Sequence, residues 1–215
     1  MNTLIQTFKH LAGTRVATRR VGSGPEIYVG LETRQVPSEY YWDGMKRSSD
    51  AAHPIVVFQY TLSGWGCYSE TTVRRMDPGM AFAAIVPSRH CYYLPEKSPR
   101  WTFFWLLLTH PYIVGRMIET KKKFGAVSTL SPDSMLIAKS IEFFAGVCRD
   151  TFRDRWDQER VQYEFLIEYE RHLHQKLHPQ PVREKLLEKT QAYVMKHLGR
   201  PISILELAAL KGMSR

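Results

Sequence analysis

Between residues 24 and 109 the hydrophobic positions come in short aromatic and β-branched runs, broken by Gly, Pro and Asp. That pattern predicts strands, here over 27–31, 55–62, 67–71, 80–86, 91–94 and 101–108. Ser63-Gly64-Trp65-Gly66 and Asp77-Pro78-Gly79 read as turns, since proline presets one dihedral and glycine tolerates positive φ. Many short strands with turns at this spacing predict a small barrel or jelly roll. Near residue 115 the period becomes helical. Ser131-Pro132-Asp133 reads as a helix start, and Ile137, Ile141, Phe144 and Cys148 behind it follow at spacings of 4, 3 and 4. A second helix over 157–177 carries the apolar stripe Val161, Phe165, Leu166, Tyr169 and Leu173. His178-Pro179-Gln180-Pro181 breaks the chain, and a third helix is predicted over 183–198.

The C-terminal residues carry the most specific local signal. Ser203 is placed to cap a helix, and Glu206 three residues later completes a capping box. Leu205, Ala208 and Ala209 fall on one face, and Ala208 is small enough for a crossing helix to approach. Gly212 suits a left-handed helix end, Met213 a plug between two helices, and Ser214 the cap of the next. This is the front half of a helix-turn-helix, ending at Arg215 before the base-reading helix. A terminal amphipathic helix that merely ends in glycine is the other reading.

Charge changes the picture modestly. Lys and Arg number 30 against 21 Asp and Glu, a net charge of +9, which favours polyanionic partners, nucleic acid first. The same excess also serves solubility. The cysteines Cys67, Cys91 and Cys148 are too scattered for a disulfide framework or a Cys-x-x-Cys metal site, and reduced, intracellular thiols are expected. No apolar run approaches a membrane span, and residues 1–20 lack a secretory h-region, so a cytoplasmic protein without membrane partners is expected.

Strand alternation places His90 with Tyr92 on one face, and Phe103 with Trp105 on another. These aromatics read either as plain core or as walls of a ligand pocket with a few placed polar groups. Trp42-Asp43-Gly44-Met45-Lys46-Arg47 reads either as an arm closing over such a pocket or as a charged edge hairpin. Motifs for nucleophilic or nucleotide chemistry are absent from the sequence. His172, His174 and His178 are dense, but read as solvated helix-end residues more readily than as a zinc site.

In its succession of motifs the chain resembles the AraC family of bacterial transcription regulators. The resemblance rests on residues 58–66, Met76-Asp77-Pro78-Gly79, Pro87-Ser88-Arg89-His90-Cys91-Tyr92, Trp101-Thr102-Phe103-Phe104-Trp105, and the segment through Ile204, Leu207, Ala208, Gly212, Met213 and Ser214. It implies an α+β chain: a cupin-like jelly roll or barrel over 1–115, a helical linker and dimerisation region over 116–180, and the start of a helix-turn-helix domain over 181–215. It implies a ligand-responsive regulator with a small-molecule effector, a sugar or related metabolite, beside Ser63, His90, Tyr92, Phe103 and Trp105. The helix-turn-helix scaffold would comprise Ser203, Leu207, Ala208, Gly212, Met213, Ser214 and Arg215. A homodimer would form through Val161, Phe165, Tyr169 and Leu173.

Departures qualify each point. Ser63 stands where an arginine would grip hydroxyls and Phe103 where a histidine would, so a more apolar pocket is expected. The His-x-His set of metal-dependent cupins is missing from 63–70, so no metal, no cofactor and no enzyme activity are expected. Family members continue into a recognition helix and a second helix-turn-helix. A stand-alone cupin sensor or dimerising modulator that never touches DNA is therefore the alternative, and a metal-dependent cupin enzyme a weaker one. With no recognition helix in these 215 residues, only salt-sensitive, sequence-independent DNA association is expected. Competition between a promoter fragment and random duplex at physiological salt checks this, and a protected specific site would overturn it.

Overall fold

The computed structural model describes residues 2–13, 17–20, 26–47, 51–177, 190–197 and 199–210. The chain divides into two compact units, Met1–Arg171 and His172–Arg215.

The first unit is an antiparallel two-sheet sandwich with helices on one side. Its strands are β1 (Ala17–Arg20), β2 (Ile27–Arg34), β3 (Tyr41–Asp43), β4 (Ile55–Gly64), β5 (Gly66–Ser69), β6 (Val73–Met76), β7 (Met80–Val86), β8 (Cys91–Tyr93), β9 (Trp101–Leu108) and β10 (Val127–Thr129). They form a six-stranded sheet in the order β1-β2-β9-β4-β7-β10 and a four-stranded sheet in the order β3-β8-β5-β6. Two separate ladders make this a sandwich rather than the closed barrel that was the other expectation. The chain crosses between sheets at the turn after β4. There Gly64 has φ +67°, and a β-carbon would lie 2.0 Å from the Arg100 carbonyl oxygen, so only glycine fits. The Asp77-Pro78-Gly79 turn carries it back, closed by the Met80 amide on the Asp77 carbonyl.

Alternation on the large sheet sorts two cores. Trp101, Phe103, Phe82, Ala84 and Val57 face the small sheet and meet Tyr68, Met76, Tyr92 and Leu94. Phe58, Tyr60, Phe104 and Leu106 occupy the other face and are also buried. Phe8 of α1 (Asn2–Ala12) stacks on Phe104 at 4.2 Å and meets Phe144 of α3 (Met135–Arg149) edge-on at 5.0 Å. Phe165 and Tyr169 of α4 (Arg155–Leu177) both meet Phe58 edge-on. The remaining helix, α2 (Pro111–Phe124), buries Ile113, Val114 and Met117. In the second unit, residues 190–196 are helical, and Ile204–Leu210 forms a short helix. Among the described residues no helix is long and apolar enough to cross a membrane.

Several expectations change. The α3 cap is Ser134, whose side chain accepts from the Ile137 amide; Ser131-Pro132-Asp133 forms the turn before it. The helices beyond residue 115 do not stand apart as a linker, because α2, α3 and most of α4 belong to the sandwich unit. The stripe assigned to dimerisation is buried within the chain: Val161, Phe165, Tyr169 and Leu173 are each at most 4% exposed. The stripe is long because Phe165 and Tyr169 cover an apolar sheet face, which satisfies it without a partner. Removing a buried phenyl costs about 3–5 kcal/mol. Phe165→Ala should therefore lower unfolding stability by that order in urea titration, and Phe165→Glu with Tyr169→Glu should unfold the unit. A folded double variant that merely dissociates in light scattering would restore the dimer assignment.

Candidate functional site

Inside the sandwich the apolar filling gives way to a polar cluster. Glu32 of β2, Gln59 of β4 and Trp105 of β9 sit on the inner face, because cross-strand register pairs Gln59 with Trp105 and Glu32 with the inward Phe103. Trp105 lies flat over Gly30, where a β-carbon would come within 2.5 Å of the indole. A glycine there lets the indole reach sideways and donate to Glu32 Oε1 at 2.7 Å. The other carboxylate oxygen accepts from Arg34 Nε at 2.7 Å. Tyr40 donates its hydroxyl to Gln59 Oε1 at 3.2 Å. Gln59 is 1% exposed, and its Nε2 has no hydrogen-bond partner. Leaving such a donor buried and unpaired costs about 1–3 kcal/mol.

Trp42, Arg47 and Tyr92 complete the wall. Register pairs Trp42 of β3 with Tyr92 of β8, so both rings point inward, and Arg47 lies 4.4 Å over the Trp42 ring while donating to the Tyr92 hydroxyl at 2.7 Å. Burial pushes the Tyr92 phenol up to about 12, with the Arg47 charge opposing and Glu32 reinforcing. Burial likewise raises Tyr40 well above the usual phenol range. Both stay protonated near neutral pH and keep their donors. The cavity measures only about 50 Å³. Trp42 and Arg47 also line an adjoining outer recess of about 950 Å³ with Lys46, His53 and Ile55, so these two side chains form the partition between the two spaces.

The residues expected at a pocket are only partly together. Tyr92 and Trp105 line the cavity. Phe103 is core, fully buried against Tyr40 and Trp101. Ser63 lies on the opposite side of the sheet, because a register shift between Thr61 and Ser63 reverses the alternation. His90 stands beyond Tyr92, its ring parallel at 6.0 Å, its Nδ1 at 2.8 Å from Ser88 Oγ and its carbonyl accepting from the Gly44 amide. Glu32 and Gln59 were missed, and with Arg47 of the 42–47 segment they make the cavity more polar than expected. The inward phase of β2 and β4 was legible, but a lone polar or charged residue in a strand reads as solvent-facing. Among the described residues, no three His, Cys, Asp or Glu side chains converge as metal ligands.

In the second unit, Ser203 and Glu206 form the reciprocal cap expected of them. The Glu206 amide donates to Ser203 Oγ at 3.2 Å, and the Ser203 amide to Glu206 Oε2 at 2.8 Å. Arg200 also bonds Glu206 at 2.8 Å. Leu207 and Ala208 lie on this helix, half-buried, whereas Gly212, Met213, Ser214 and Arg215 lie outside the described residues.

No protein-family model matches the chain, and no curated protein matches it. Solved structures do. The AraC-like transcriptional activator CuxR is 9% identical over 97% of this chain and 80% of its own, with a TM-score of 0.48. ToxT from Vibrio cholerae is 8% identical over 88% and 70%, at 0.39. KdgF from Halomonas sp. is 17% identical over 44% and 80%, at 0.30.

His90 yields a pH prediction. Burial pushes its imidazole down to about 4, with Lys121 and Arg47 adding repulsion and Glu70 opposing. An unfolded histidine titrates near ~6.5. Between those values the unfolded chain binds a proton that the folded chain refuses, so stability falls as pH falls. The urea midpoint should drop from about pH 7 to about pH 5, and His90→Gln should flatten that slope. An equal drop in both proteins would show that His90 does not carry it.

Proposed function

We propose that this chain is the sensing part of a ligand-responsive transcription regulator of the AraC type, a binding protein rather than an enzyme. The observation that carries the reading is the buried, unpartnered Gln59 Nε2 at an aromatic-walled cavity between the sheets. A donor left unpaired there is stabilised once a ligand accepts from it. The Glu32 carboxylate and the Tyr40 and Tyr92 hydroxyls add acceptors and donors, and Trp42 and Trp105 offer faces on which a ring can stack. That inventory fits a hydroxyl-bearing ring, a sugar or related metabolite.

The cavity is too small for such a ligand while Trp42 and Arg47 stay in place. Binding in this reading displaces the 42–47 arm and joins the cavity to the outer recess. The arm is then the element whose position reports occupancy, and the C-terminal capped helix is the start of the DNA-binding part. The sequence resemblance and the Ser203–Glu206 cap support that second half.

A ligand that binds only the folded state raises stability by mass action. Thermal-shift screening of sugars, sugar acids and aromatic metabolites should give hits that are lost in Trp105→Ala and in Gln59→Leu. Gln59→Leu removes one unpaired donor but leaves the Tyr40 hydroxyl without its acceptor, so without ligand its stability should stay within about 1 kcal/mol of the parent. If both variants fold and bind the best hit normally, the cavity is not the effector site.

A further inference from the structure

The register shift in β4 has a chemical consequence outside the cavity. It turns Ser63 onto the helix-side face of the large sheet, directly beside Thr102, which is itself paired with Thr33. Three hydroxyls therefore stand in a row across β2, β9 and β4, separated by the ~4.8 Å strand spacing. The rest of this face, at Val29, Phe104, Leu106 and Phe58, is apolar and buried. The row forms the floor of a recess of about 440 Å³, walled by Lys9 and Gln6 of α1 and by Arg100.

The lining has an excess of donors. Thr33 and Thr102 share one hydrogen bond at 3.0 Å, while the Ser63 hydroxyl makes none among the described residues. Neither Lys9 nor Arg100 has an ion-pair partner among the described residues, and no carboxylate lines the recess. Some cations of this unit meet acids, as Arg116 does Glu170 and Lys139 does Glu164, while others, such as Lys97 and Lys123, have no ion pair among the described residues and stand outside any recess of this kind. Two unpaired cations of different geometry flank a hydroxyl floor. Arginine offers a planar fork and lysine a point charge, the two ways proteins grip phosphate oxygens.

We propose that this recess is a second ligand site, distinct from the cavity between the sheets, and that it binds a small phosphate monoester. Lys9 and Arg100 hold the phosphoryl oxygens. Ser63 and Thr33 bond the hydroxyls of the organic part, and Gln6 covers it from α1.

Isothermal titration of the whole chain with inorganic phosphate and glycerol 3-phosphate, at constant ionic strength, tests this, with glycerol as the neutral control. Both phosphates should bind saturably at one site, the ester more tightly, and glycerol should not bind. Lys9→Gln and Arg100→Gln should each weaken binding about tenfold, and Ser63→Ala should weaken the ester but not inorganic phosphate. Lys123→Gln on α2 removes an equal charge elsewhere and should change nothing. All are exposed or half-buried positions, and an unchanged thermal melt verifies the fold. Absence of saturable binding up to about 10 mM overturns the proposal. So does undiminished binding in Lys9→Gln and Arg100→Gln, or an equal loss in Lys123→Gln.

Discussion

Strand β9 turns neither face to water, and most of the architecture follows from covering it. Trp101, Phe103 and Trp105 project to one side, Phe104 and Leu106 to the other, with β2 and β4 hydrogen-bonded along its edges. At about 25 cal/mol per Å² of apolar surface, each large aromatic contributes on the order of 4 kcal/mol when buried. Neither side can be left open. The small sheet covers the tryptophan side, and α1, α3 and α4 cover the phenylalanine side. This need for a second cover is why the α4 stripe belongs to the chain's own core.

Against that dry interior, the polar cluster at Glu32 and Gln59 is the exception, and it is held in place by unusual local choices. Gly30 removes a side chain so that Trp105 can lie flat and reach Glu32. Arg34 and the indole together satisfy the carboxylate. Tyr40 satisfies one end of Gln59 and leaves the other bare. An apolar residue at position 59 would remove the bare Nε2 but would leave the Tyr40 hydroxyl without its acceptor. The bare Nε2 is a cost to the empty protein, and it is the ground on which the binding site is proposed.

Much of the sandwich was legible because its strands are buried on both faces and read as continuous aromatic runs; β4, β7 and β9 match their predicted spans closely. The short strands β1, β6 and β10 were passed over and β3 was read only as part of a possible edge hairpin, whereas β5 and β8, no longer, were legible from their aromatic and cysteine residues beside turn signals. Two helices were legible and passed over. Leu4, Phe8 and Ala12 repeat every four residues, and Pro111 opens α2 with Ile113, Val114 and Met117 on its buried side. The site was harder. Tyr92 and Trp105 followed from alternation, but Ser63 failed because a bulge is invisible to a period-2 pattern, and Phe103 because core and pocket walls share one composition.

That bulge also sets the chemistry of the two faces against each other. On the same three strands, Glu32, Phe103 and Thr61 look inward, while their neighbours Thr33, Thr102 and Ser63 look outward. One peptide step therefore separates a cavity that contains a carboxylate from a recess that contains none. Because the strands are hydrogen-bonded to each other along this whole stretch, neither face can shift without moving the other. The inner face presents the Glu32 carboxylate beside aromatic rings, which suits hydroxyls and disfavours anions. The outer face presents unpaired cations over hydroxyls, which does the reverse. A sheet this thin can distinguish two ligand chemistries only because adjacent residues point to opposite sides, and the extra residue in β4 is what brings the third hydroxyl into line.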